Sequence, residues 1–165
     1  MSETGRWALP LLDAGQAQKE VTHNEALAIL DLLQGASAVA VGTNTPPATP
    51  AIGQCWVLGG APVGGWAGHA GALAAWTSGG WRFAGPREGQ AVWSLADTCP
   101  AVHSGGQWRV GRIAATELFI GGQQVVGARR PAVTAPAGGS VADAEARSAI
   151  GAILAALTAH GLIAG

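Results

Sequence analysis

An α+β fold, made mainly of short antiparallel β-strands and hairpins with an N-terminal helix and a C-terminal helix, is predicted by three observations. Glycine makes up 26 of the 165 residues, and much of it sits in pairs between short apolar runs. Helix caps and helical apolar spacing cluster towards the two ends. The seven tryptophans fall mostly in the glycine-rich middle, where they must supply most of the core volume.

Residues 1–35 form the first segment. Thr22 with Glu25 reads as a capping box, and Ala26, Leu27, Leu30 and Leu33 recur at helical spacing ahead of Gly35, a good C′ residue. Asp13 with Gln16 is a second cap candidate, weakened by Gly15. The second segment, residues 36–113, is the Gly/Trp-rich β domain. Pro46, Pro47 and Pro50 predict a stiff, extended entry. Cys55–Leu58, Leu73–Trp76 and Trp81–Phe83 then read as strands, punctuated by Gly59-Gly60, Gly79-Gly80 and Gly85-Pro86. Ala75–Phe83 has an internal echo in Val102–Val110. In each, a strand leads through a Ser/Gly turn into a strand that carries Trp-Arg. Two copies are too few for a solenoid or propeller.

The third segment is residues 114–165. Glu117–Ile120, Gly121-Gly122 and Gln123–Val126 form a further strand–glycine–strand unit, and residues 129–139 an extended connector with Pro131 and Pro136. Ser140 as N-cap, with Asp143 at the box position, predicts a helix from about Val141 to His160, stopped by Gly161. Ile150, Ile153, Leu154 and Leu157 form its stripe, and so little charge lies opposite that packing on both sides is expected.

Charged residues are only 12% of the chain and the net charge is −1, so little self-repulsion opposes association. A homotrimer is expected, with Ile150, Ile153, Leu154 and Leu157 as the interface, their 3–4 spacing forming a seam between helices. The basic residues are scattered, which argues against nucleic-acid binding. No apolar run is long enough for membrane insertion. The first residues lack the basic and apolar regions of a signal peptide, so synthesis in the cytoplasm is expected. Cys55 and Cys99 match no zinc or redox spacing and read as small buried hydrophobes.

Catalytic patterns are absent, and no enzyme activity, cofactor or metal is expected. His23, His69, His103 and His160 lie far apart with no ligand-spaced partner. The glycines from Gly59 to Gly71 lack the lysine and following helix of a phosphate loop. Glu88 and Asp97 are the carboxylates of the β domain, too few and too turn-like to suggest glycoside hydrolysis. Tryptophan offers the one functional constellation, since an indole stacks on the C–H face of a sugar. Most of the seven are needed for the core. Trp66, flanked by Gly64, Gly65 and Gly68, is the exception expected to be open, with His69 beside it as a second glycan contact.

Several blocks resemble an uncharacterised family encoded in alphaproteobacterial prophages and beside the structural genes of gene transfer agents. They are Gly-Gln-Ala-Gln-Lys-Glu-Val-Thr-His-Asn-Glu-Ala-Leu (15–27), Trp-Ala-Gly-His-Ala-Gly (66–71), Trp-Arg-Phe-Ala-Gly-Pro-Arg-Glu-Gly (81–89) and Val-Val-Gly-Ala-Arg-Arg-Pro (125–131). The closing stretch 143–157 with His-Gly-Leu-Ile (160–163) is similar to that family's tail. The resemblance implies a virion component such as a tail fibre or spike, made in the cytoplasm and incorporated into a phage-like particle. Its partners would be other tail, baseplate or spike proteins. A carbohydrate-binding module for cell-surface polysaccharide is the alternative, and a glycan-degrading enzyme the third reading.

Overall fold

A computed structural model describes residues 2–13, 15, 19–138 and 143–164. It has the α+β architecture the sequence predicts, in two compact units, Met1–Arg112 and Ile113–Gly165.

In the first unit, helix α1 spans Lys19–Leu33. It begins before the predicted box, so Thr22 lies inside it and Glu25 is turned to Arg82, whose Nε donates to Oε2 at 2.8 Å. Lys19 and Glu20 are good helix formers, and Glu20 suits the positive helix end, which carries the helix further back. Of the second cap candidate, Gln16 lies outside the described residues. Gly35, with φ 53°, follows the helix in the left-handed conformation expected of C′.

Two short strands come next, β1 (Ser37–Ala38) and β2 (Val41–Thr43), followed by β3 (Cys55–Leu58), β4 (Leu73–Thr77) and β5 (Gly80–Ala84). The unit is completed by β6 (Ala91–Ser94), β7 (Cys99–Ser104) and β8 (Gln107–Val110). They form two four-stranded sheets, ordered β2-β3-β4-β5 and β1-β6-β7-β8. The prolines expected to lead into the β domain instead connect β2 to β3. β1 and β2 escape the sequence because each pairs in parallel with a later strand, β6 and β3, and so leaves no local hairpin pattern.

Both halves of the echo are hairpins. Trp76 faces Trp81 and Thr77 faces Gly80, just as His103 faces Trp108 and Ser104 faces Gln107. The turns differ. Gly105 and Gly106 both have positive φ, 60° and 76°, as a type I′ turn demands, whereas in the first hairpin only Gly80 does, at 94°.

The first sheet is covered on both faces, which is why β3 is an unbroken apolar run, buried throughout. Cys55, Val57, Leu73 and Ala75 meet Leu32 of α1 and Val92 and Ala101 of the other sheet. Trp56, Leu58 and Ala74 pack with Trp66, Trp81 and Phe83 in a second cluster. The N-terminal residues are strapped to α1 by buried Asp31, whose carboxylate accepts from the Trp7 N–H at 2.7 Å, the Arg6 N–H at 3.1 Å and the Thr4 hydroxyl at 2.7 Å.

The second unit holds the hairpin of β9 (Leu118–Ile120) and β10 (Gln123–Val126), with Gly121 and Gly122 at its turn, and helix α2 (Ala144–Ala159). Asp143 is the cap and not a box partner: its Oδ1 accepts from the Ala146 N–H at 2.8 Å. Ser140, the expected cap, lies outside the described residues. Beyond α2, the Arg130 N–H donates to the Leu162 carbonyl at 3.0 Å and the Ala164 N–H to the Arg130 carbonyl at 2.7 Å. No residue of α2 is buried, so the packing expected on both its sides is not made within one chain. Among the described residues of this unit only Ile163 is buried.

Candidate functional site

Trp66 is fully buried, not open as its glycine neighbours suggest. It sits at the end of a single 3₁₀ turn, Gly64–Trp66, whose direction carries the indole inward over the first sheet. Its ring lies 5.1 Å from that of Trp81 and 5.9 Å from that of Trp56. Glycine here serves the turn, Gly64 having φ 59°, rather than access. A sugar cannot stack on this indole while the cluster is closed. His69 is exposed, with its ring stacked flat on Phe83 at 3.7 Å.

The open indoles are Trp7 and Trp93, 55% and 47% exposed. Trp93 had a legible signal: Ala91-Val92-Trp93-Ser94 alternates, and its small or apolar partners Val92 and Ser94 are the buried ones. Trp7 gives its Nε1–H to the Gln34 carbonyl at 2.8 Å, beyond the last residue of α1.

A cleft of about 490 Å³ opens where β2, the edge of the first sheet, meets β8, the edge of the second. Val57 and Leu58 are part of its lining, with His103, Gln107 and Trp108 on the second sheet and Gly59, Gly60 and Gly71 among the loop residues. Trp108 holds the sides together by donating Nε1–H to the Gly71 carbonyl at 2.8 Å. The His103 side chain is 11% exposed, with Nδ1 4.0 Å from a Glu88 oxygen and lacking a hydrogen-bond partner. Glu88 accepts from the Gly105 N–H. None of the cleft residues is Asp, Glu, Lys or Arg. No local pattern in the sequence marks this cleft, because its walls come from positions far apart in the chain. The echo of Trp81 in Trp108 was its nearest local sign.

Elsewhere, polar groups are engaged in bonds within the fold. Asp97 takes the Ser94 hydroxyl in the β6–β7 turn. Cys55 and Cys99 are unpaired; the Cys55 thiol donates to the Ser37 carbonyl at 3.1 Å and receives the Arg6 guanidinium at 3.0 Å. Burial pushes this thiol up from its ordinary range, against the opposing pull of Arg6. Among the described residues, no three His, Cys, Asp or Glu side chains are placed to share a metal ion, and no helix is long and apolar enough to cross a membrane.

The four interface candidates on α2 divide. Ile150 and Ile153 are 42% and 58% exposed, while Leu154 and Leu157 are half-buried. Leu154 shares its side with Arg147, Gly151 and Thr158, also half-buried. Arg147 fastens that side to the connector through the Pro136 and Gly138 carbonyls.

The model of a family described as protein of unknown function (DUF2793) matches residues 23–109. The chain belongs to this family. The DUF2793 match takes in most of α1, seven strands and nearly all of β8, and contains every residue of the β2–β8 cleft. The blocks 125–131, 143–157 and 160–163 of the resemblance lie beyond the matched residues. No curated protein matches the chain.

Proposed function

We propose that this DUF2793 protein is a structural component of a phage-like particle, a tail fibre, spike or baseplate-associated protein, assembled as a homotrimer. The blocks that resemble prophage and gene-transfer-agent proteins support the setting, with assembly into the virion after synthesis in the cytoplasm. The observation that carries the reading is the character of residues 113–165. Leu118, Phe119, Ile120, Val125, Val126, Ile150 and Ile153 are all exposed, and Ile163 alone is buried among the described residues there. A two-stranded hairpin and one helix with so little core are marginal by themselves. Charges in the unit balance, with Arg129, Arg130 and Arg147 against Glu117, Asp143 and Glu145, so copies would meet without like-charge repulsion. Light scattering on the purified protein is the test: three times the chain mass at micromolar concentration is expected, and a monomer would overturn the trimer. Co-purification with washed particles tests the setting.

Host-surface attachment through a glycan is the second reading, and the β2–β8 cleft favours it. Its volume falls in the range of small-molecule sites.

A further inference from the structure

We propose that the cleft between β2 and β8 binds a short neutral saccharide. This gives the host-contact reading a site, and it does not depend on trimer formation, because every cleft residue belongs to the first unit of one chain.

The chemistry of the walls selects the ligand class. No lining residue is Asp, Glu, Lys or Arg, so the walls offer no cation to hold an anionic ligand, and the carboxylate nearest them, Glu88, is engaged by the Gly105 N–H. Its apolar wall is the half-buried Trp108, fixed by the bond from its Nε1 to Gly71. The C–H face of a pyranose suits such a wall. Opposite needs are met by polar groups. Gln107 is exposed and carries an amide that both donates and accepts. His103 turns Nδ1 towards Glu88, which leaves Nε2 as its other polar atom. At Gly60 and Gly106 an added Cβ would meet nothing within 4 Å, so the main chain there is open to a closely approaching hydroxyl. A volume of about 490 Å³ suits one or two sugar rings.

Saturation-transfer NMR and calorimetry on the full chain, with maltose, cellobiose, lactose and chitobiose as probes and sialyllactose as the anionic counterpart, test the assignment. At least one neutral disaccharide is expected to bind with a Kd of about 1 mM, as a small open site gives. Gly60→Leu should weaken that binding about tenfold or more. Its Cβ meets no atom and its backbone is not left-handed, so the fold is kept. Gln107→Ala, at an exposed position, should weaken it several-fold, whereas Trp93→Ala, outside the cleft, should leave it unchanged. Three results would overturn the proposal: no binding by any neutral probe, binding undiminished in both Gly60→Leu and Gln107→Ala, or sialyllactose bound better than lactose. A monomeric mass with intact saccharide binding would sink the trimer and leave the cleft standing.

Discussion

His103 and Trp108 face each other across β7 and β8 with ring centroids 5.4 Å apart and planes at 68°. Trp76 and Trp81 repeat the relationship across β4 and β5, at 5.0 Å and 64°. Cross-strand aromatic pairs of this kind pin register. In the second hairpin the pair does more, because Trp108 also ties its sheet to Gly71. Trp108→Phe should therefore cost about 1 kcal/mol, the net worth of one hydrogen bond. Trp108→Ala should cost about 3–5 kcal/mol through lost packing. Urea unfolding of the two variants beside the parent measures both, and a Trp108→Phe variant as stable as the parent would show that the bond to Gly71 contributes nothing.

Trp66 is wholly enclosed by Trp56, Trp81 and their neighbours. Trp66→Ala is expected to destabilise the first unit by about 3–5 kcal/mol. Near-ultraviolet circular dichroism should lose much of its tryptophan signal, since the variant breaks up a coupled ring cluster. A melting temperature unchanged within a degree would contradict the burial.

Asp31 holds the N-terminal strap with three hydrogen bonds. Asp31→Ala removes all three acceptor contacts and should free the strap, at a cost of about 1–3 kcal/mol for donors left behind. Limited trypsin digestion should then cut after Arg6 many times faster than in the parent. Unchanged cleavage would mean that packing alone retains the segment.

Ile153 and Ser148 lie on opposite sides of α2, and both are exposed in the single chain. Ile153→Asp should dissociate the proposed trimer, because a carboxylate in an apolar seam costs a few kcal/mol per copy. Ser148→Asp should leave the mass unchanged. Light scattering on the two variants tests the proposed seam; the opposite ranking would move it to the other side of the helix.

With the Cys55 thiol pushed up by burial, the folded state keeps its proton to higher pH than the unfolded chain, where a cysteine titrates near about 8.5. The thiol's contribution is therefore present in full below that value and is lost as pH rises through the folded value. Urea midpoints of the parent should fall more steeply above about pH 8.5 than those of Cys55→Ala. Parallel curves would show that Cys55 does not ionise in this range.

Local chemistry determined much of this protein from sequence alone. Gly-Gly pairs between apolar runs placed the hairpins β4–β5, β7–β8 and β9–β10, because positive φ angles are cheap only for glycine. Apolar spacing placed both helices, although their first residues were set elsewhere: Glu25 found a distant arginine, and Asp143 took the cap itself. Tertiary structure decided the rest. β1 and β2 exist only through parallel pairing with strands remote in the chain, which no local pattern encodes. Trp66 is buried because its 3₁₀ turn folds over the first sheet, where the tertiary layers and not the flanking glycines set access. The cleft arises where two sheet edges meet, so His103, Gln107 and Trp108 join Gly60 and Gly71 only once both sheets have formed. Burial and juxtaposition are properties of non-local packing, and a linear pattern records them only when a strand alternates or a helix keeps its stripe.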